Sequence, residues 1–227
     1  MSDTIAVPSR NCDIFAPRTR AVHSRGYGLD VARALRIEEP NGIYHVGSRG
    51  NNGGTMFHDD IDRLEWLRFL AKVATRYRWV GLTYVLMGNH FHFLVQIPYG
   101  GLSRGMQLLN TSYSVRTNRR HGRTGHLVRN RFYSALIEDE RHLLEAVRYL
   151  VLNPVRAGLC HRPQDWRWSS YRACAGTELA HPFMSVDRLL ELFGTRPAEA
   201  RSAFREFVRE GHVPVSDTSL WEPVDPA

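Results

Sequence analysis

Two histidines, His90 and His92, stand two residues apart in a stretch where large apolar residues recur at every second position. They belong to residues 87–97, whose pattern predicts a tight turn followed by a strand. Side chains two apart on a strand project to the same face, so one divalent ion could bind both imidazoles. The other face is predicted to be core and consists of Phe91, Phe93, Val95 and Ile97. The alternative interpretation is that both histidines are polar residues on the solvated side of a sheet.

A tyrosine on a later helix is the second candidate. Asp139 can cap a helix over residues 140–152, in which one apolar stripe has helical spacing: Leu143, Leu144, Val147, Leu150 and Val151. Tyr149 lies about 160° from the centre of that stripe, at about 100° per residue. Packing of the stripe therefore does not account for Tyr149, although an amphipathic tyrosine at the protein surface also fits this pattern.

Asn153 stands one helical turn after Tyr149. Pro154 predicts that the helix ends at or just before Asn153, because the residue preceding a proline is disfavoured in helical conformation. Asparagine is common at helix termini, so one interpretation is that its amide only completes the helix end. The other is that the amide oxygen is a third metal ligand.

The charge of the chain points to a polyanionic partner. Thirty Lys+Arg residues against twenty-three Asp+Glu residues give a formal net charge of +7 and a pI near 9.7. The segment 116–131 has no acidic residue and six arginines: Arg116, Arg119, Arg120, Arg123, Arg129 and Arg131. This density predicts phosphate contacts. A GC-rich genome also raises the arginine content, so composition alone does not identify the partner.

Cysteine usage and hydropathy predict a cytoplasmic protein. The three cysteines, Cys12, Cys160 and Cys174, are odd in number and lack the spacing of a zinc site, which favours a reducing compartment. No apolar run approaches the ~20 residues that cross a bilayer, and residues 1–20 lack a hydrophobic signal core. We therefore expect no membrane partner.

The order of the predicted elements indicates the fold. Strands are predicted at 43–49, 79–86, 90–97 and 132–137, with helices at about 60–76 and 102–119. Strand, helix, strand, strand, helix, strand is the order of the split βαβ arrangement. We predict an α+β, ferredoxin-like fold with a four-stranded antiparallel sheet, two helices on one face, and an open face available for chemistry.

Three segments are predicted along the chain. Residues 1–40 form a basic, partly disordered arm with one short helical turn near 29–37, residues 41–160 form the α+β domain, and residues 161–227 form an aromatic and helical extension. Trp166, Trp168 and Tyr171 in the extension could stack on unpaired bases, but their predicted role is core packing. Short helices at 185–193 and 197–210 could form a small recognition or dimer surface.

Three motifs occur in a characteristic order: Tyr-His-Val-Gly-Ser-Arg-Gly (44–50), Met-Gly-Asn-His-Phe-His-Phe-Leu-Val (87–95) and Arg-Tyr-Leu-Val-Leu-Asn-Pro-Val-Arg (148–156). Through them the chain resembles the HUH single-strand DNA transposases, most closely the REP-associated tyrosine transposases, which have an IS200-like transposase domain. The resemblance covers about residues 42–160.

The resemblance implies a nuclease domain in which His90 and His92 hold Mg²⁺ or Mn²⁺ and Tyr149 attacks a phosphodiester in single-stranded or hairpin DNA. Asn153 matches the position of an extra metal ligand, where many insertion-sequence relatives have glutamine. The implied products are a 5′-phosphotyrosine link and a free 3′-OH, which permit strand transfer. In some minimal relatives paired subunits exchange their tyrosine helices, so both a homodimer and a monomer are open expectations.

Two other functions fit the same sequence. One is a nucleic-acid-binding module of this sheet topology without catalysis, as RNA-recognition folds illustrate. The other is a metal nuclease that uses water as its nucleophile, which would leave Tyr149 incidental. Tyr113 is a rival nucleophile, but it shares a helix face with Leu102, Met106 and Leu109 and is therefore predicted to be packed.

Overall fold

The computed structural model describes residues 38–211 of the 227-residue chain. Its elements are β1 (Ile43–Arg49), α1 (Asp60–Tyr77), β2 (Val80–Leu86), β3 (His90–Gln96), α2 (Leu102–Arg120), β4 (Tyr133–Leu136), α3 (Glu140–Arg156), α4 (Tyr171–Ala175), α5 (Val186–Leu190) and α6 (Pro197–Arg209). Two short 3-10 turns, Asn51–Gly53 and Pro163–Asp165, lie between them. The predicted helical turn near 29–37, most of the basic arm and residues 212–227 lie outside the described residues.

The four strands form one antiparallel sheet in the order β2-β3-β1-β4. This is the strand order of the ferredoxin-like fold, so the predicted α+β class and topology are confirmed. In the central pair, Gly47 of β1 lies opposite His92 of β3, and Arg49 lies opposite His90. The hairpin between β2 and β3 closes with a 2.9 Å hydrogen bond from Met87 N to the backbone oxygen of His90.

The first face of the sheet packs against α1 and α2. Phe91, Phe93, Val95 and Ile97 are completely buried, as their alternation predicted. The helices contribute large side chains to the same core, including Trp66, Leu70, Met106, Leu109 and Tyr113. Tyr113 is therefore a packed residue, and its hydroxyl donates to the backbone oxygen of Met56 at 2.7 Å.

The second face of the sheet is covered, so the prediction of an open face is wrong. Helix α3 packs on this face, where Leu94 and Val85 share one core with Val147 and Leu150. The extension joins this core through apolar residues of its own helices: Tyr171, Cys174, Leu189, Leu190, Phe204 and Val208. The physical reason is that the extension supplies enough apolar surface to close a second layer. The boundary at residues 160–161 remains a prediction.

The extension also protects the outer edge of the sheet. Leu86 N donates to the oxygen of Trp168 at 2.8 Å, and Ser170 N donates to the oxygen of Tyr84 at 3.0 Å. Exposed strand edges invite pairing with other chains, and here the edge of β2 is covered by the chain itself. Trp168 and Tyr171 are buried, which confirms their packing role, while Trp166 is partly exposed.

Helix α3 begins after Asp139, whose side chain accepts from His142 N at 2.7 Å, as predicted. Its predicted end before Pro154 is wrong, because the helix continues to Arg156. Proline removes one helical hydrogen bond and costs about 3 kcal/mol inside a helix. Packing offsets this cost here, since Asn153 and Pro154 are both buried.

Within residues 38–211, no helix has the length and apolar character needed to span a bilayer. Cys160 and Cys174 are free thiols in this part of the chain.

Candidate functional site

The histidine pair lies on the second face of the sheet. Strand β3 holds the rings of His90 and His92 with their centroids 5.2 Å apart. Burial, together with the nearby charge of Arg49, lowers the pKa of His90 to about 4. Burial also holds the pKa of His92 well below its usual value. Both imidazoles are therefore neutral near pH 7, which is the form that binds metal ions.

Helix α3 brings Tyr149 and Asn153 to these histidines. The ring of Tyr149 is 5.7 Å from the ring of His92, centroid to centroid. The side chain of Asn153 hydrogen-bonds the imidazole of His90. Tyr149 is only 8% exposed, because α3 lies within the packed layer over the second face. The four residues that the sequence singled out thus lie together within one chain.

The position of the proton on His90 follows from its neighbour. Asn89 Oδ1 lies 2.7 Å from His90 Nδ1. An amide oxygen only accepts hydrogen bonds, so Nδ1 carries the proton in the neutral ring and Nε2 keeps its lone pair. This is the arrangement in which a histidine binds a cation through Nε2 while the other nitrogen is held by a hydrogen bond.

Two further residues of the site were missed by the sequence analysis. His45 of β1 is completely buried, with its Nε2 2.9 Å from Nδ1 of His92. Arg156, at the end of α3, places its guanidinium 4.9 Å from the centroid of the Tyr149 ring. His45 and Tyr44 are neighbours in β1, so their side chains lie on opposite faces of the sheet. This alternation could have indicated the face on which His45 lies. Its partner depends on strand register, which the sequence pattern does not give.

The candidate donor set has the chemistry of a divalent-ion site with open positions. Residues 38–211 contain no group of three or more His, Cys, Asp or Glu side chains arranged to hold a metal. The candidate ligands are instead two imidazoles, of His90 and His92, and the amide oxygen of Asn153. Such a set leaves coordination positions for phosphate and water. Imidazole suits Mn²⁺ better than Mg²⁺, which prefers oxygen ligands.

Arg120, one of the six predicted phosphate contacts, is engaged within the protein. Its guanidinium lies 2.7 Å from an oxygen of Asp59 and 2.6 Å from an oxygen of Asp62. His121 also contacts Asp62, at 3.0 Å. Asp59 is the N-cap of α1, so these ion pairs of Arg120 connect the end of α2 to the start of α1.

The other five arginines of the segment are exposed: Arg116, Arg119, Arg123, Arg129 and Arg131. The loop after α2 joins the sheet beside the histidine pair, because Arg129 N donates to the oxygen of Arg49 at 2.9 Å and Arg49 lies opposite His90. Asn51 N likewise donates to the oxygen of Leu127 at 2.9 Å. The basic loop and the candidate site therefore lie at the same end of β1.

The fold and site together define a class of protein: a ferredoxin-like α+β domain with a His-x-His pair on its central hairpin and a tyrosine on a helix that packs over it. Residues 40–151 match the family model described as "Transposase IS200 like". Residues 40–151 of this chain are thus similar to the IS200-like transposase domain.

Individual relatives agree with this assignment. A curated protein of Haemophilus influenzae, named as a REP-associated tyrosine transposase, is 25% identical to this chain over 105 residues. The aligned residues are 41% of this chain and 60% of that protein. The alignment thus spans less than two thirds of the relative. A solved REP-associated tyrosine transposase bound to a REP hairpin has a TM-score of 0.55 at 18% identity, over 67% of this chain and 90% of its own. This likeness shows a shared fold.

A second solved structure, the tRNA(His) guanylyltransferase from Saccharomyces cerevisiae, has a TM-score of 0.40 at 10% identity, over 77% of this chain and 82% of its own. This score is too low to support an argument.

Proposed function

We propose that the protein is a tyrosine transposase that cleaves and rejoins single-stranded or hairpin DNA through a 5′-phosphotyrosine intermediate, with Mg²⁺ or Mn²⁺ as its cofactor. One observation carries the proposal: Tyr149 packs 5.7 Å from His92, centroid to centroid, while Asn153, one turn later, hydrogen-bonds His90. The nucleophile and all three candidate ligands are thus close together in one chain.

His90, His92 and Asn153 would hold the ion. The two imidazoles are neutral and buried, so they offer lone pairs at no cost of deprotonation near pH 7. When bound, a divalent ion at this position neutralises charge on a non-bridging phosphate oxygen and orients the scissile bond.

Tyr149 would supply the attacking oxygen. Its phenol oxygen forms a bond to phosphorus and gives up its proton, while the bond from phosphorus to the 3′ oxygen breaks and that oxygen takes up a proton. A free phenol has a pKa near 10 and attacks poorly at neutral pH. Arg156 provides positive charge beside the phenol, and among residues 38–211 its buried Nη2 atom has no hydrogen-bond partner.

The same site would also rejoin DNA. A 3′-OH can attack the phosphotyrosine, which forms a new phosphodiester and restores the phenol of Tyr149. The covalent link conserves the bond energy, so this step needs no ATP. Strand transfer then requires only that a second 3′-OH reaches the same phosphorus.

Four features support a DNA substrate. The chain has a net charge of +7, and its basic loop joins the sheet beside the site. A cavity of about 330 Å³ lies between α2 and this loop, and its lining includes the polar side chains of Asn110, Ser114, Asn118 and Asn130. The structural relative with a TM-score of 0.55 was solved with a REP hairpin, so hairpin DNA is the substrate we propose to test first.

The test uses hairpins taken from palindromes repeated beside the coding region, labelled at the 3′ end, and incubated with the protein and Mn²⁺. After denaturation, we expect a protein band that carries the label and that disappears with EDTA or with Tyr149→Phe. Tyr113→Phe is the matched control, because Tyr113 is a packed tyrosine on the other side of the sheet, and it should retain the adduct.

Other outcomes identify the rival functions. Cleaved DNA without a labelled protein band would favour water as the nucleophile. Retention of DNA only under native conditions would favour a binding module. A protein band obtained with 5′-labelled DNA instead of 3′-labelled DNA would reverse the proposed polarity of the link.

A further inference from the structure

We propose that His45 is a positioning residue of this site: its Nε2 accepts a hydrogen bond from Nδ1–H of His92 and thereby fixes the His92 tautomer whose Nε2 can bind a cation. The inference rests on the proposed metal site and goes beyond it, because His45 is not itself a ligand.

The contact between the two rings is short and sheltered. His45 Nε2 and His92 Nδ1 are 2.9 Å apart, within the range of an N–H···N hydrogen bond. The ring centroids are 4.9 Å apart with an interplanar angle of 45°. His45 is completely buried and His92 is 6% exposed, so water does not readily compete for this bond.

One of the two facing nitrogens must donate and the other must accept. If His45 donates, His92 uses its Nδ1 lone pair for that bond and carries its own proton on Nε2, which leaves no lone pair for an ion. If His92 donates, its Nε2 lone pair remains available. Both arrangements contain two neutral rings, and the burial of both imidazoles disfavours a charged form. Only the second arrangement is compatible with a metal ligand at His92.

Both histidines of the pair are therefore held in the same way, by a hydrogen-bond partner at Nδ1. His90 is held through Nδ1 by the oxygen of Asn89 at 2.7 Å, and His92 is held through Nδ1 by His45. Partners of this kind fix ring orientation and typically change metal affinity 10- to 100-fold when removed. The His45 ring also lies 6.2 Å from that of Tyr149, so the same residue borders the proposed nucleophile.

The test compares two variants of the full chain in Mn²⁺ titrations without DNA, with free Mn²⁺ measured by electron paramagnetic resonance. His45→Leu removes the acceptor, and we expect Mn²⁺ affinity to fall about 10- to 100-fold. His45→Gln keeps an acceptor at a similar distance from the backbone and should stay within a few-fold of wild type. His181→Leu is the control, since His181 stacks on Phe183 of the extension. Wild-type affinity in His45→Leu, or an equal loss in His45→Gln, would overturn the proposal.

A measurement on the wild-type protein keeps the proposal testable if His45→Leu fails to fold. Imidazole nitrogen–proton correlation spectra should show that Nδ1 of His92 is protonated and that its Nε2 is not. A proton on Nε2 of His92 would refute the role of His45. Neither experiment contains DNA, so they can fail while adduct formation by Tyr149 succeeds, and the reverse is equally possible.

Discussion

Replacement of Gly47 by alanine should disturb the candidate metal site through a single added carbon. Gly47 lies opposite His92 in the central strand pair. A Cβ atom at this position would be 3.0 Å from the backbone oxygen of Phe91 and 3.1 Å from Nδ1 of His92. The oxygen belongs to a central strand that is paired on both sides, so the His92 ring is the group that must move, by a few tenths of an ångström.

This displacement acts on the short bond between the two buried imidazoles. At 2.9 Å, the bond between His45 and His92 has little room before it exceeds the usual limit of about 3.2 Å. Loss of such a bond costs about 1 kcal/mol, and crowding in a packed interior costs about 1–3 kcal/mol. We expect the free energy of unfolding to fall by roughly 1–3 kcal/mol and Mn²⁺ affinity to fall by about tenfold or more.

Urea unfolding and Mn²⁺ titration measure the two effects separately. Gly88→Ala is a matched control, because Gly88 lies in the turn before the same strand and a Cβ there has no atom within 4 Å. Both variants add one methyl group, but only the methyl group at position 47 meets the His92 ring and the backbone oxygen of Phe91. If Gly47→Ala binds Mn²⁺ as tightly as Gly88→Ala, the position of that ring does not control metal binding and the reasoning fails.

Three further predictions concern charge and protonation. Arg120→Gln should lower the free energy of unfolding by roughly 1–3 kcal/mol, because Asp62, which is 2% exposed, loses its guanidinium partner. In the comparison variant Arg119→Gln, urea unfolding should be unchanged, while the salt slope of DNA binding should fall by about one. The pKa of His90 is lowered to about 4, so its ring stays neutral in mild acid. Mn²⁺ affinity should therefore be constant as the pH falls to about 5 and should decline toward pH 4. A decline that begins near the usual imidazole pKa of about 6.5 would contradict this prediction. Arg156→Gln should slow formation of the DNA adduct by about tenfold or more in single-turnover assays while DNA affinity changes less; an unchanged rate would remove Arg156 from the proposed chemistry.

The sequence predicted the ferredoxin-like fold because its signals are local. The alternation in 87–97 fixes which side chains of β3 face the core, and a cap followed by a helical stripe marks the start of α3 at Asp139. The same local patterns placed His90 and His92 on one face. They also placed Tyr149 outside the apolar stripe of its helix, although in the structure Tyr149 is buried in the same core as the leucines and valines around it.

What the sequence did not predict depends on contacts between distant segments. The second face of the sheet is covered because residues 171–209 supply a further layer of apolar side chains, and no local period reveals where that layer packs. The same burial allows α3 to continue through Pro154. His45 was missed because its role requires the register of β1 against β3, which places it diagonally from His92.

The packing of α3 also bears on whether the proposed nucleophile acts within its own chain. Because α3 is enclosed between the sheet and residues of α4 to α6, Tyr149 already contacts His92 without exchange of helices. We therefore expect a mixture of Tyr149→Phe and His92→Ala proteins to form no DNA adduct, since each chain lacks one half of the site. Restored adduct formation in the mixture would show that tyrosine and histidines come from different subunits. Unmixed wild-type protein at the same total concentration provides the reference rate.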